Sequence, residues 1–332
     1  MRFAAVLVAL CSAGPLVARA QQPVTTVSLT PPPPPLVVDG LEILPVQGNV
    51  HMIAGAGANV AVQIGEEGAF VVDTGAAGQS QRLMAAVSRL TNRPVRFLVN
   101  TSADGDHVAG NELIVKSQRG ARGPQPGVGG GGVQNVGVVS VAHENAYNRM
   151  STGSGGAPPL AGDGLPTSTF FTPRKDLFSN GEPVQLIAQP SAHTDGDIMV
   201  FFRKSDVVVT GDVFVTTSYP VIDSPGGGTV QGVIDALNAI IELTVPERNQ
   251  MGGTRVIPGH GRICNEADVV EYRDMVTIIR DRVQEMARRG MTVQQVKAAR
   301  PSLEYDGIYG ATSGDWTTDM FLETVYREVS GK

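Results

Sequence analysis

Asn100-Thr-Ser-Ala-Asp-Gly-Asp-His-Val-Ala-Gly-Asn111 is the stretch around which the rest of the chain can be read. It follows the apolar run Val95-Arg-Phe-Leu-Val99, which predicts a buried strand, and leads into His107–Val115, which predicts the opening of a helix. Asp104, Asp106 and His107 therefore crowd into four positions at a strand end. Carboxylates held this close repel one another, so they take up protons or share a cation. Three later segments each add a ligand type where an apolar strand meets a Gly-containing loop: Ala192-His-Thr-Asp-Gly-Asp197, Thr210-Gly-Asp-Val213 and Ile257-Pro-Gly-His-Gly261.

Outward from these segments the pattern alternates between strand and helix. Leu41–Val46, Val50–Ile53, Ala58–Ile64 and Ala69–Asp73 are short apolar or alternating runs separated by Gly or Asn turns, which predicts a β-meander. Gln79–Leu90 carries Leu83, Met84, Val87 and Leu90 at helical spacing. After the central stretch come a Gly- and Pro-rich insertion at 120–132, a strand at Val136–Val141, a short helix at His143–Met150 and a second low-complexity loop at Ser151–Pro166. Val184–Gln189, Asp197–Arg203 and Asp206–Thr210 predict further strands, with helices at Val230–Leu243 and Ala267–Arg289 around the strand Arg255–Ile257. Amphipathic helices at Thr292–Arg300 and Thr317–Val329 close the chain. Two halves of this kind, each a sheet with helices on its outer face, predict an α/β architecture whose sheets meet in the middle.

The 332 residues are 42% hydrophobic and 17% charged, the composition of a globular protein with a substantial core. Residues 1–20 stand apart: one basic residue, a short apolar run and Ala18-Arg-Ala20 predict a secretory signal peptide, with Gln21 as the first mature residue. A lipoprotein reading through Cys11 is opposed by the bulky Leu10 before it. Periplasmic or secreted localisation follows, with no stable membrane anchor after cleavage. Residues 21–40, including Pro31–Pro35, read as an extended linker ahead of a main domain at 41–265 and a helical extension at 266–332 packed on it. Without Arg2 and Arg19 the chain keeps 24 basic against 32 acidic residues, a net charge near −8, and no basic stripe, which disfavours nucleic-acid binding. Cys264 is alone once the leader is removed, so no intramolecular disulfide is expected, and it reads as a small buried thiol.

Taken in order, the motifs resemble those of the metallo-β-lactamase-fold hydrolase superfamily over about Leu41–Ile263. Val71-Val-Asp73-Thr-Gly75, the frame of Asn100–Asn111, Ala192-His193-Thr194, Gly211-Asp212 and Pro258-Gly-His260-Gly match five family motifs in sequence. The resemblance implies a four-layer αββα sandwich and a metal centre at the strand ends. It also marks a departure, because Ser102 and Asp104 stand where the family has its first two histidines. Carried over residue by residue, one metal site is intact, with Asp106, His107 and His260 and with Asp212 bridging. The other is reduced to Asp104 and His193, with Ser102 a poor ligand. Asp73, Ser102 and Thr194 are expected to support the ligands from behind. His143 is left out of the ligand set, and His51 reads as a half-exposed strand histidine.

The implied cofactor is zinc, one or two ions, with manganese or iron favoured at the carboxylate-rich first site. The implied chemistry is hydrolysis of a small-molecule substrate by a metal-bound hydroxide formed near neutral pH. Asp106, or Asp104, would orient the water or take its proton, and Thr194 or Tyr219 would help polarise the attacked oxygen. An ester, a thioester or a lactam would suit such a centre. The segment directly after Asp212, Val213-Phe-Val-Thr-Thr-Ser-Tyr-Pro220, carries no Cys ligand and no Lys to hold a substrate carboxylate, which disfavours a true β-lactamase. The alternative is a non-catalytic or weakly active relative that keeps the fold and a degenerate first site. Oligomeric state has no signature in the sequence.

Overall fold

Alternating side-chain direction along strands buried on both faces sorts the apolar side chains into three layers, and these layers set the architecture. The computed structural model describes residues 35–120, 122–123, 134–135, 137–153 and 157–331. The expected signal peptide, the linker up to residue 34 and most of the Gly-rich insertion lie outside the described residues.

In the first half, β1 (Leu36–Val38), β2 (Leu41–Gln47), β3 (Val50–Ala54), β4 (Val60–Gly65) and β5 (Gly68–Val72) form an antiparallel meander. Helix α1 (Ser80–Leu90) then crosses to β6 (Val95–Val99), parallel to β5. Helices α2 (Gly105–Val108) and α3 (Asn111–Ser117) precede a small hairpin of β7 (Arg122–Gly123) and β8 (Gln134–Asn135). The sheet is completed by β9 (Val139–His143), helix α4 (Glu144–Thr152) and β10 (Ser168–Phe170), in the order β1-β2-β3-β4-β5-β6-β9-β10. The second half has β11 (Arg174–Ser179), β12 (Glu182–Gln189), β13 (Asp197–Phe202) and β14 (Val207–Val209), all antiparallel. Helix α5 (Val230–Leu243) then leads to β15 (Arg255–Ile257), parallel to β14. Helices α6 (Glu266–Arg288), α7 (Val293–Ala299), α8 (Asp306–Tyr309) and α9 (Thr318–Ser330) follow.

The period of two along each strand assigns its residues to opposite faces. Phe70 and Val72 of β5 point into the space between the sheets, where they meet Val200, Phe202 and Val209 from the second sheet. Their neighbours Ala69 and Val71 face outward onto Leu83, Val87 and Ile114 of α1 and α3. On the far side Met199, Val208 and Val256 face outward onto α5, α6 and α9. The result is the four-layer αββα sandwich. Helix α6 shows how the sequence specifies its place: Asn265 and Asp268 close a reciprocal cap at its start, and Val269, Tyr272, Val276, Ile279 and Val283 recur on one buried stripe. That stripe packs into the same core as α5 and α9.

Three local expectations change. The sheet begins at Leu36, inside the stretch read as linker, because Leu36–Val38 pair with Leu41–Ile43. Strands β10 and β11 are additional; β11 is an edge strand whose alternation is mostly between exposed and half-buried residues, so its apolar signal is weak. The helix expected from His107 starts earlier, at Gly105, and breaks at Ala109-Gly110. The break has a tertiary cause. A Cβ at Gly110 would sit 2.4 Å from the Thr74 carbonyl oxygen, and the Gly110 N–H donates to the Thr74 hydroxyl at 3.1 Å.

Parallel pairing places the carboxyl ends of β5 and β6, and of β14 and β15, on one rim of the sandwich. Such ends are where open α/β sheets place their ligands. Asp73 follows β5, the Asn100–His107 loop follows β6, Asp212 follows β14 and His260 follows β15.

Candidate metal centre

His107 is the deepest residue of the cluster, with no exposed surface. Its Nδ1 lies 2.8 Å from Asp73 Oδ2, so the Nδ1–H donates to the carboxylate and Nε2 faces the other acids. Asp73 is held in turn by the Thr101 N–H at 2.8 Å and the Thr101 hydroxyl at 2.6 Å. The Asp73 backbone is in the left-handed region, φ 64°, a strained setting that Asp tolerates better than most residues. Behind the loop, Thr74, Asn100 and Asn111 share side-chain hydrogen bonds, and Thr74 also binds the His107 carbonyl.

Two ligand groups converge at the rim. Asp106, His107 and His260 each offer one atom within 4.8 Å of the others, and so do Asp104, His193 and Asp212. His260 Nε2 is 3.2 Å from Asp106, and His193 Nε2 is 2.9 Å from Asp104, while His193 Nδ1 meets the Val221 carbonyl at 2.9 Å. Asp212 stands between the groups, 3.2 Å from His107 Nε2 and 3.5 Å from His260 Nε2. The 3.2 Å contact, made by Asp212 Oδ2, lacks hydrogen-bond geometry and leaves His107 Nε2 buried without a hydrogen-bond partner. The other carboxylate oxygen, Oδ1, has only the 3.5 Å approach of His260 and is buried without one as well. Buried polar atoms of this kind are costly. A divalent cation would satisfy both, and two imidazoles with carboxylates are a fitting donor set for zinc.

Three imidazoles and three carboxylates also neutralise one another. Burial disfavours the charged His107 ring, but Asp212 and Asp73 outweigh it and hold its pKa well above the ordinary value. Burial likewise opposes charge on His193, and Asp104 overcomes this to push it up to about 10. The Asp106 hydrogen bond raises His260. Asp212, despite its burial, is lowered to about 2 by His107 and its neighbours. A metal entering such a site displaces protons, so its affinity depends on pH.

The supporting residues divide. Ser102 belongs to neither ligand group; its hydroxyl accepts the Asp104 N–H at 3.2 Å within its own loop. Thr194 donates its hydroxyl to Asp197 at 2.6 Å, so it shapes the His193 turn and is not free to polarise a substrate. Tyr219, expected as a donor, is buried and directs its hydroxyl to Asp306 at 2.9 Å, away from the cluster. His143 caps α4, accepting the Asn145 N–H. Asn59 carried no signal in the sequence, yet its side-chain amide donates to the Pro258 and Gly261 carbonyls and its N–H to Gly259, fixing the loop that carries His260. A cavity of about 740 Å³ lies apart from the cluster, between Lys297, Ser302, Asp306 and Thr317.

Comparison with known proteins bears on the family and the fold. The family model described as the metallo-beta-lactamase superfamily matches residues 53–260. Among solved structures, the stereoselective inverting sec-alkylsulfatase Pisa1 from Pseudomonas sp. is similar with a TM-score of 0.57 at 14% identity, over 86% of this chain and 50% of that one. A metallo-beta-lactamase from Pontibacter korlensis gives 0.53 at 14% identity, over 71% and 99%. The DIM-1 metallo-beta-lactamase gives 0.54 at 15% identity, over 73% and 99%. The chain thus spans half the length of the alkylsulfatase and nearly all of the two lactamases. At these identities the likeness is one of fold. No curated protein matches the sequence significantly.

Proposed function

The chain belongs to the metallo-beta-lactamase superfamily, and from that premise we propose that it is an exported metal-dependent hydrolase of a small-molecule ester, thioester or lactam. The observation that carries the reading is the meeting of Asp106, His107 and His260 with Asp104, His193 and Asp212 at one rim, with His107 Nε2 and Asp212 Oδ1 buried without a hydrogen-bond partner. Asp106, His107 and His260 would hold one ion, Asp104 and His193 a second, and Asp212 would face both. A bound ion there supplies Lewis acidity and lowers the pKa of water towards 7. The first group has two nitrogen donors and suits zinc; the second has one nitrogen and two carboxylates and favours a harder ion such as manganese or iron.

The chain's own residues supply the rest. Asp73 fixes the His107 tautomer so that Nε2 faces the cluster. Asp106 is about one-third exposed and lies beside His260, so it can reach a water from the open side and accept its proton as general base. Asp104, also about one-third exposed, is the other acid open to solvent. Export is supported by the pattern of residues 1–20, and no helix among the described residues is long and apolar enough to cross a membrane.

The test is an elemental count per chain together with a hydrolysis screen on an ester, a thioester, a phosphoester and nitrocefin. The expected result is at least one divalent ion per chain and turnover that is lost on chelation, restored by metal, and absent in a folded His260→Ala variant. Bound metal without turnover on any class would favour the non-catalytic relative. A protein that takes up no metal would defeat both readings.

A further inference from the structure

The turn Ser191-Ala-His-Thr-Asp-Gly-Asp197 joins β12 to β13 and presents His193 to the cluster. Neither contact of the ring, Nδ1 to Val221 or Nε2 to Asp104, explains the shape of the turn itself. That shape comes from Asp197, which is 3% exposed. Its Oδ2 accepts the Thr194 N–H at 2.6 Å, its Oδ1 accepts the Thr194 hydroxyl at 2.6 Å, and that hydroxyl accepts the Gly196 N–H at 3.1 Å. One carboxylate thus closes a ring of hydrogen bonds directly after the histidine.

The turn is also packed closely from outside. A Cβ at Gly196 would stand 2.6 Å from the Ala146 nitrogen of α4, and one at Gly228 would stand 2.0 Å from the His193 carbonyl oxygen. Its far end is tied to the loop carrying the first-half ligands, because the Ile198 N–H donates to the Thr101 carbonyl at 2.9 Å. Thr101 is the residue that holds Asp73. The His193 carbonyl also accepts the Asp223 N–H at 3.0 Å, which holds the backbone from one side, and the clasp at Thr194 is the side-chain tie that closes the turn on the other. A buried carboxylate is a costly way to close a turn if stability is all that is gained, since an apolar replacement is often neutral or better. Its cost is intelligible if the turn must hold a ring in register.

We propose that Asp197 is a positioning residue for His193, acting through Thr194, as the counterpart in the second half of the direct Asp73–His107 contact in the first. It governs the Asp104–His193–Asp212 group and leaves the Asp106–His107–His260 group alone. The positional claim concerns the protein itself and stands apart from the hydrolase reading; only its consequence for metal binding rests on that reading.

The experiment follows the ring nitrogens by NMR in the full chain, labelled with ¹⁵N-histidine and treated with chelator. The chain has five histidines, so each ring can be followed, and a His193→Gln variant assigns the His193 signals. Asp197→Asn and Thr194→Val are expected to shift both His193 ring signals towards those of a solvent-exposed imidazole. The His107, His260 and His51 signals should stay within a linewidth, and Thr194→Ser, which keeps the hydroxyl, should restore the wild-type pattern. Asp197→Ala is expected to shift His193 furthest; if it fails to fold, the Asn and Val variants decide the matter. Unmoved His193 signals in those two variants would overturn the proposal. So would equal movement of all five rings, which would mark a general structural role.

Discussion

Gly259→Ala tests the centre by steric displacement alone. Gly259 is not among the residues with positive φ, so an alanine there brings no backbone strain of its own. Its Cβ would nevertheless lie 2.2 Å from Asp212 Oδ1, 2.7 Å from the Gly211 carbonyl carbon and 2.8 Å from the Gly211 oxygen. Comfortable contact begins at roughly 3.5 Å, so about 1 Å of relief has to be found. The backbone resists giving it: the Gly259 N–H donates to the Gly211 and Phe214 carbonyls at 2.9 and 3.0 Å, and the Gly259 carbonyl accepts the Asn59 N–H at 2.8 Å. The Asp212 carboxylate is the freer partner and swings away from His107 and His260, while the Gly211 backbone must also yield to clear the 2.7 and 2.8 Å contacts. Overpacking of this sort costs about 1–3 kcal/mol of stability, which a core of this size survives. A ligand misplaced by about 1 Å costs far more in function, on the order of 100-fold where geometry is critical. The expected outcome is a folded variant, by circular dichroism, whose zinc affinity falls roughly 10- to 100-fold in competition with a chromophoric chelator. Wild-type affinity in the folded variant would refute the reasoning, because it would mean that Asp212 does not face the ion.

Two further outcomes are expected. Asp73→Asn removes the charged partner of His107 Nδ1 while keeping the volume, and should weaken metal binding about 10- to 100-fold in the same titration with the fold retained. The second outcome concerns pH. The folded-state pKa of His193 is raised from 6.5 to about 10, so its contribution to stability is fully present below pH 6.5 and is lost as pH rises towards 10. Between pH 7 and 10 the Tm of metal-free protein should therefore fall more steeply for the wild type than for Asp104→Asn, which lacks the pairing carboxylate. Saturating metal should remove that difference, because a coordinated imidazole is already deprotonated. Parallel wild-type and Asp104→Asn curves without metal would show that the pair stores no such stability.

The sequence exposes the centre where chemistry and chain direction coincide. Asp73, His107, Asp212 and His260 each end or closely follow a strand, and an acid or imidazole after an apolar run is visible without coordinates. The architecture was legible in the repeated order of strands and helices, since two such halves, each with helices on one face of its sheet, must bury the other faces against each other, and continuous apolar runs such as Ala69–Val72 supply both faces. What stayed hidden depends on residues remote along the chain. Asn59 reaches the Pro258 carbonyl across 199 positions, and no local pattern announces it. Tyr219 looks available until Asp306, 87 residues on, accepts its hydroxyl. The α2–α3 break is set by a threonine after β5, not by the helix's own composition. Asp197 is the most telling case. In the sequence it is one more acid in an acid-rich turn, and burial gives it a different meaning. Deep in the rim its pKa is pushed up to about 6, chiefly by desolvation, yet both of its oxygens are engaged by one threonine. A solvated acid after a histidine needs no explanation. A desolvated one implies that something nearby must be held still, and the nearest residue with that need is His193.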